Sequence, residues 1–165
     1  MSKPLKTAAA CLAIALVTAF AGSGHIATPA QAGPGGPEGM VMMKSPHSVA
    51  ETLDRFAAAV EAKGLTVFTR IDHGENAANA GLRLDDTEVL IFGNPHLGTP
   101  MMRANRSIAI DLPQKAMAYK DGKDTVWLAY NDPAYLSDRH DLTGQDERLD
   151  KIGKALHAFA RKATE

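Results

Sequence analysis

Apolar positions after residue 39 follow first a strand pattern, then a helix pattern, then a strand pattern again. Residues 40–44 form a short apolar run, which predicts a first strand. Ser48 then precedes a helix with Glu51 three residues later, a capping box in which each side chain can bond a backbone N–H of the other residue. The helix carries four apolar side chains on one face: Val49, Leu53, Phe56 and Val60. Alternation from Leu65 to Ile71 predicts the second strand.

The second half of the chain predicts three more strands and a long closing helix. Thr87 to Phe92 is apolar nearly throughout, which is typical of a central strand. Its expected partners are residues 114–120 and 125–131, joined by a turn at residues 121–123 in which Gly122 supplies a positive φ. The last helix is expected to start from a Thr143 cap and to bury an apolar stripe of Leu149, Ile152, Leu156 and Phe159.

This element order favours the α+β class. The single hairpin and the mixed connections predict a mostly antiparallel sheet of about five strands with helices on one face. No internal repeat or charge block divides the chain after residue 39. We therefore expect one domain over residues 40–165, preceded by a flexible Gly- and Pro-rich lead at residues 33–39.

Residues 1–32 read as a signal peptide. Lys3 and Lys6 are followed by an apolar stretch over residues 7–20, which is too short to span a bilayer, and Ala30-Gln31-Ala32 has the form of a cleavage site. The mature protein is therefore expected to start at Gly33, to be periplasmic or secreted, and to have no stable membrane insertion. Cys11 leaves with the signal, so no disulfide and no cysteine site is predicted.

The charge balance disfavours one class of partner. The chain has 18 basic and 19 acidic side chains, with no basic stripe, and aromatic residues make up only 5%. A nucleic-acid-binding protein would be expected to carry a concentrated positive charge, so no nucleic-acid partner is predicted.

Several motifs spread over residues 40–163 resemble a known family. They are Gly64-Leu65-Thr66-Val67-Phe68 leading to Ile71-Asp72-His73, Leu90-Ile91-Phe92-Gly93-Asn94-Pro95, Gly98-Thr99-Pro100, Asp111-Leu112-Pro113 and Tyr130-Asn131-Asp132-Pro133. Together they are similar to domain-of-unknown-function family 302. The resemblance implies a β-α-β4-α fold of the TATA-binding-protein-like class, and homodimers. Two features depart from the family pattern: the export signal, and His96 where a lysine is expected.

The stretch from Glu88 to Pro113 changes backbone direction three times, which makes it the expected place for a site. Thr99 is a suitable N-cap and Pro100 suits the first helical position, so free N–H groups there would receive a small anionic ligand, with Gly98 allowing close approach. Asn94 and His96 could add hydrogen bonds. The alternative is that Thr99 only caps its own helix and Asn94 only caps a turn.

A second candidate is a set of acidic side chains around a histidine. His73 could act as a general acid or base with Asp72, Glu88 or Asp111 as its partner, since carboxylates stabilise a protonated imidazole. The alternative is that Asp72 and His73 cap the short helix that follows them. Glu75, Asp132 and His140 complete this polar set.

A third candidate is a copper site, because thioethers bind Cu(I) and the protein is expected to be exported. Met40, Met42 and His47 are the candidate ligands, and Met101-Met102 form a second pair. The alternative is packing, since methionine commonly fills gaps in cores and interfaces. No cofactor is predicted. No Gly-x-Ser-x-Gly occurs, so the sequence does not favour a serine hydrolase.

Three functions remain open. The leading one is an exported, homodimeric small-ligand-binding or accessory protein. The second is an enzyme that uses His73 on a small anionic substrate, and the third is periplasmic copper handling.

Overall fold

A computed structural model describes residues 36–165, which form a five-stranded sheet and five α-helices. The predicted signal peptide, residues 1–32, lies outside the described residues. The strands are β1 (Met40–Ser45), β2 (Thr66–Asp72), β3 (Thr87–Gly93), β4 (Gln114–Lys120) and β5 (Val126–Asn131). The helices are α1 (Val49–Glu61), α2 (His73–Asn79), α3 (Pro95–Ala104), α4 (Pro133–His140) and α5 (Asp146–Thr164), with a 3-10 helix at Arg106–Ile110.

The strand order is β1-β5-β4-β3-β2, and every neighbouring pair is antiparallel. The predicted α+β class with a mostly antiparallel sheet is therefore confirmed. The middle of the sheet is the β4–β5 hairpin with β3 beside it, while β1 and β2 form the two edges.

The inner face of the sheet packs against α1 and α5. Opposed residues of antiparallel neighbours share a face, so the pairs Leu90–Ala116 and Ala118–Leu128 lie in two neighbouring rows of the inner face. The helical stripe predicted for α1 is buried, and Phe56 at 0% exposure makes edge-to-face contacts with Phe92 and Phe159 at 5.3 and 6.1 Å between ring centroids. These contacts join α1, β3 and α5 into one core.

The opposite, outer face of the sheet also carries apolar side chains. One cross-strand row runs across all five strands in register: Ile71, Val89, Met117, Ala129 and Met42. All of them except the buried Ala129 are partly exposed. The outer face thus carries an apolar row, on a sheet whose other face is covered by α1 and α5.

Two local predictions about turns and caps are wrong. In the β4–β5 turn the positive φ falls on Asp124 at 59° and not on Gly122, because the Asp121 carboxylate accepts from the backbone N–H groups of Lys123 and Thr125, both at 2.9 Å, and sets the turn. Helix α5 follows Gln145, and the Thr143 hydroxyl donates to Asp141 and does not cap the helix.

Candidate functional site

The stretch from Glu88 to Pro113, called the central stretch below, contains a helix that begins earlier than predicted. Asn94 is its N-cap, its side-chain oxygen accepting from the backbone N–H of His96 at 2.8 Å, and Pro95 takes the first helical position. The prediction that Thr99 and Pro100 start this helix is wrong, since Pro100 lies inside it. Asn94-Pro95 and Thr99-Pro100 are equivalent start signals, and the first is used because β3 ends at Gly93.

The central stretch forms most of the wall of a cavity of about 380 Å³. The cavity lies at the end of β3, between α3 and α5, and it is closed on a third side by the segment that enters β4. Its lining residues from the central stretch are Phe92, Gly93, Asn94, Pro95, Leu97, Gly98, Met101, Met102, Leu112 and Pro113. Helix α5 contributes Ile152, Ala155, Leu156 and Phe159, and Leu65, Phe68 and Gln114 complete the wall.

The cavity wall is almost entirely apolar. Asn94 and Gln114 are the polar side chains that line it, and the Asn94 side chain is already engaged by the cap. Phe68 is 52% exposed and Leu97 36% exposed, although both line the cavity. Apolar side chains that are both wall and surface mark an open mouth, so the cavity suits a small apolar molecule that enters from solvent.

Only two of the four predicted ligand-binding residues belong to the cavity wall. Asn94 and Gly98 line the cavity, whereas His96 is exposed and neither it nor Thr99 is part of the wall. The first N–H groups of α3 are also occupied, because those of Leu97 and Gly98 donate to the Asn94 carbonyl at 3.0 Å. The chemistry of the wall favours apolar over anionic ligands.

The acid–histidine set around His73 is not assembled as one group. Asp72 caps α2 by accepting from the backbone N–H of Glu75 at 2.8 Å, and His73 is exposed in the first turn. Glu88 lies opposite Asp72 in the register but bonds Arg70, with 2.5 Å between Nε and Oε2. Asp111 bonds His140. The capping role of Asp72 is present, and the two other carboxylates have partners of their own.

Arg70 joins the edge of the sheet to α1. Its guanidinium bonds Glu88 and Asp54, both at 2.5 Å, and the Ala50 carbonyl at 3.0 Å. Burial disfavours the charged form, but the hydrogen bonds to Glu88 and Asp54 outweigh it, so the pKa of Arg70 lies above its ordinary value. Glu88 therefore has a structural role as a counter-ion.

Three side chains form a hydrogen-bonded chain close to the cavity, since Asp111 directly precedes the wall residues Leu112 and Pro113. The Ser107 hydroxyl is 2.8 Å from His140 Nδ1, and His140 Nε2 is 2.5 Å from Asp111 Oδ2. Arg139 Nη1 lies 3.5 Å from the same Asp111 oxygen. Sequence reasoning included His140 and Asp111 in the polar set but did not join them to Ser107, because Ser107 and His140 are 33 positions apart.

Two of the three candidate copper ligands lie on one strand, and the third lies outside it. Met40 and Met42 alternate along β1, while His47 precedes α1 and lies 3.2 Å from Glu51. Met101 is buried at 2% exposure, as expected for a core methionine. Within residues 36–165 no group of three or more His, Cys, Asp or Glu side chains is arranged to hold a metal ion.

Comparison with known proteins agrees with the fold and the motif positions. A family model described as "Domain of unknown function DUF302" matches residues 41–159. The chain belongs to the DUF302 family. A crystal structure of an uncharacterized conserved DUF302 protein from Bacillus stearothermophilus superimposes with a TM-score of 0.69 at 19% identity, over 76% of this chain and 98% of that one. At this identity the match establishes a shared DUF302 fold.

Curated relatives share more sequence over a shorter span. "Fluoride-specific ion channel FluC 1" of Brucella suis biovar 1 (strain 1330) is 53% identical over 104 residues, which are 63% of this chain and 41% of the relative. "Fluoride-specific ion channel FluC 2" of Brucella melitensis biotype 1 (strain ATCC 23456 / CCUG 17765 / NCTC 10094 / 16M) has the same identity over 38% of its length. The DUF302 chain thus spans about two fifths of the length of these relatives. None of the helices found in residues 36–165 is long and apolar enough to cross a membrane.

Proposed function

We propose that this protein is an exported binding protein for a small apolar molecule, held in the cavity between β3, α3 and α5. The observation that carries the proposal is the cavity itself: about 380 Å³, walled by apolar side chains and open between Phe68 and Leu97. Ligand sites are commonly clefts of this size with few polar groups. Here Asn94 and Gln114 would orient a ligand that carries one polar atom.

Gly98 allows the cavity to be filled without disturbing the cap or the core. A Cβ at Gly98 would meet Leu112 Cδ1 at 3.6 Å and Met102 Cε at 3.7 Å, which are ordinary contacts with two wall residues. Gly98→Ala should therefore be tolerated, and it favours α3 because alanine is the better helix former. Gly98→Phe places a ring where the ligand would lie.

The test is a fluorescence titration with the uncharged apolar probe N-phenyl-1-naphthylamine. The wild type and Gly98→Ala should bind the probe saturably at one site, and Gly98→Phe should weaken binding about tenfold or more, which is a loss of about 1.4 kcal/mol. Circular dichroism checks that all three proteins are folded. Equal affinity in Gly98→Phe, or no saturable binding in the wild type, would contradict the proposal.

Export and dimerisation belong to the same proposal. The basic start, the apolar stretch and Ala30-Gln31-Ala32 support removal of residues 1–32. The apolar row across the outer face of the sheet supports pairing with a second copy, because a contiguous exposed apolar surface is typical of an interface.

A second function, as an accessory domain of an anion channel, is favoured by one observation. The 53% identity is to proteins named as fluoride-specific ion channels, and it covers only about two fifths of them. A channel needs membrane-spanning structure, and no helix in residues 36–165 supplies it. The part that this chain shares with the relatives would then act beside the channel.

This second function can be tested with fluoride efflux from vesicles that contain the Brucella suis relative. Deletion of the part that matches this chain should alter efflux, and replacement of that part by residues 36–165 should restore it. If the deletion leaves efflux unchanged, the accessory role fails, whatever the outcome of the probe titration.

A further inference from the structure

The chain of Ser107, His140 and Asp111 has the hydrogen-bond order of a nucleophile, a base and an acid. A carboxylate accepts hydrogen bonds but does not donate them, so His140 Nε2 carries the proton in its bond of 2.5 Å to Asp111. In the neutral imidazole the other ring nitrogen, Nδ1, has a free lone pair, and the Ser107 hydroxyl 2.8 Å away donates to it. This tautomer follows from the hydrogen-bond network.

The three side chains differ in solvent exposure in the way that such chemistry needs. His140 is 5% exposed and the Asp111 side chain 14% exposed, whereas Ser107 is exposed to solvent. A substrate can therefore reach the hydroxyl, while the imidazole is shielded from water that would compete for its lone pair. Shielding also strengthens the bond between the imidazole and the carboxylate.

Asn105 fixes the two backbone segments against each other. Its side-chain amide donates to the His140 carbonyl at 2.6 Å, and its side-chain oxygen accepts from the Ser107 N–H at 3.0 Å. One side chain thus positions both the nucleophile and the base. Arg139, 3.5 Å from Asp111 Oδ2, balances the carboxylate charge.

We propose that Ser107, His140 and Asp111 form a hydrolytic site for small carboxylic esters, separate from the apolar cavity. Ser107 Oγ attacks the ester carbonyl carbon while its proton moves to His140 Nδ1, and Asp111 stabilises the imidazolium. The proton then passes to the leaving alkoxide as the C–O bond breaks, which leaves an acyl group on Ser107. Water gives a proton to Nδ1 and adds to the acyl carbon, and Ser107 leaves with that proton.

The ring nitrogens have the reverse assignment from the common triad, in which the acid bonds Nδ1. The chemistry requires only that one nitrogen faces the hydroxyl with a lone pair and that the other donates to the carboxylate. Both conditions are met here.

The test uses the full chain with diisopropyl fluorophosphate, followed by intact mass and peptide mapping, and with p-nitrophenyl acetate as the substrate. The wild type should gain one diisopropylphosphoryl group on Ser107 and hydrolyse the ester. Ser107→Ala should lose both activities. Ser137→Ala, a partly buried serine on α4, is the matched control and should keep both.

Asp111→Asn separates catalysis from structure. Loss of the carboxylate charge should slow labelling of Ser107 roughly 10²-fold, a typical general-base contribution, at unchanged circular dichroism. No adduct on Ser107 in folded wild type, an adduct that persists in Ser107→Ala, or equal labelling rates in Asp111→Asn and the wild type would each overturn the proposal. Probe binding in the cavity is measured separately and does not depend on this result.

Discussion

At the scale of single residues, side-chain carboxylates do much of the local organisation. Asp72, Asp121 and Asp132 each accept backbone N–H groups at a turn or at the start of a helix. The sequence left capping as one of two possible roles for Asp72 and did not predict it for Asp121. Aspartate suits both catalysis and capping, so the residue type alone does not decide between them. What decides between them is which N–H groups lie within reach, and that depends on the backbone.

The Asp121 carboxylate gives a pH-dependent contribution to stability. Its hydrogen bond from the Trp127 indole and those from the backbone of Thr125 and Lys123 hold the pKa of Asp121 below its ordinary value of 3.8. A lowered folded pKa stabilises the fold above the ordinary value, and this contribution is lost as the pH falls through the folded pKa.

Asp121→Asn should therefore lower the melting temperature at neutral pH, and the difference from the wild type should shrink in acid. Thermal melts between neutral pH and about pH 2, below the ordinary range for aspartate, measure this. Asp124→Asn is the control, because that side chain is 92% exposed and asparagine also accepts its positive φ. A difference that is constant with pH would contradict the role given to the carboxylate.

At the scale of elements, periodicity predicts more than local signals do. The stripe on α1 and the β4–β5 hairpin are present because burial imposes the same period on sequence and structure. The predicted alternation along β2 is wrong, since a bulge between Val67 and Thr69 puts these two side chains on opposite faces of the sheet. The start of α3 was misplaced by five residues, from Asn94 to Thr99, because cap residues act locally and two equivalent signals compete. The cavity and the Ser107–His140 contact were not predictable, since both arise where distant segments meet.

The capping assignment gives a direct comparison of two neighbouring positions. Asn94→Ala removes the acceptor for the His96 N–H and should cost about 1 kcal/mol of the free energy of unfolding. Thr99→Ala, inside α3, should change it by less than about 0.5 kcal/mol. Urea unfolding measures both variants. A larger loss of unfolding free energy in Thr99→Ala than in Asn94→Ala would contradict this assignment and indicate that the helix starts at Thr99.

At the scale of the whole molecule, the two faces of the sheet differ. Helices α1 and α5 pack against the inner face, and the outer face carries an apolar row that these two helices do not cover. A second copy that packs face to face would bury the row of Ile71, Val89, Met117, Ala129 and Met42. The family resemblance implied a homodimer from sequence, and this row supplies a surface for it.

Light scattering on residues 33–165 at micromolar concentration should give the mass of a dimer. Met117→Lys places a charge in the middle of the row and should give a monomer, because an unpaired charge is costly to bury. Leu82→Lys, at a side chain that is 66% exposed, is the matched control and should remain dimeric. A monomeric wild type, or a dimeric Met117→Lys, would show that the outer face of the sheet is not a dimer interface.

The central claim is that an apolar ligand occupies the cavity and not the sheet face, and methionine methyl resonances distinguish the two. Met101 and Met102 line the cavity, whereas Met42 and Met117 lie on the outer face of the sheet. In protein labelled at the methionine methyl carbons, N-phenyl-1-naphthylamine should shift the resonances of Met101 and Met102 and leave those of Met42 and Met117 in place. Shifts at Met42 and Met117 alone, or no shifts at saturating probe, would contradict the account.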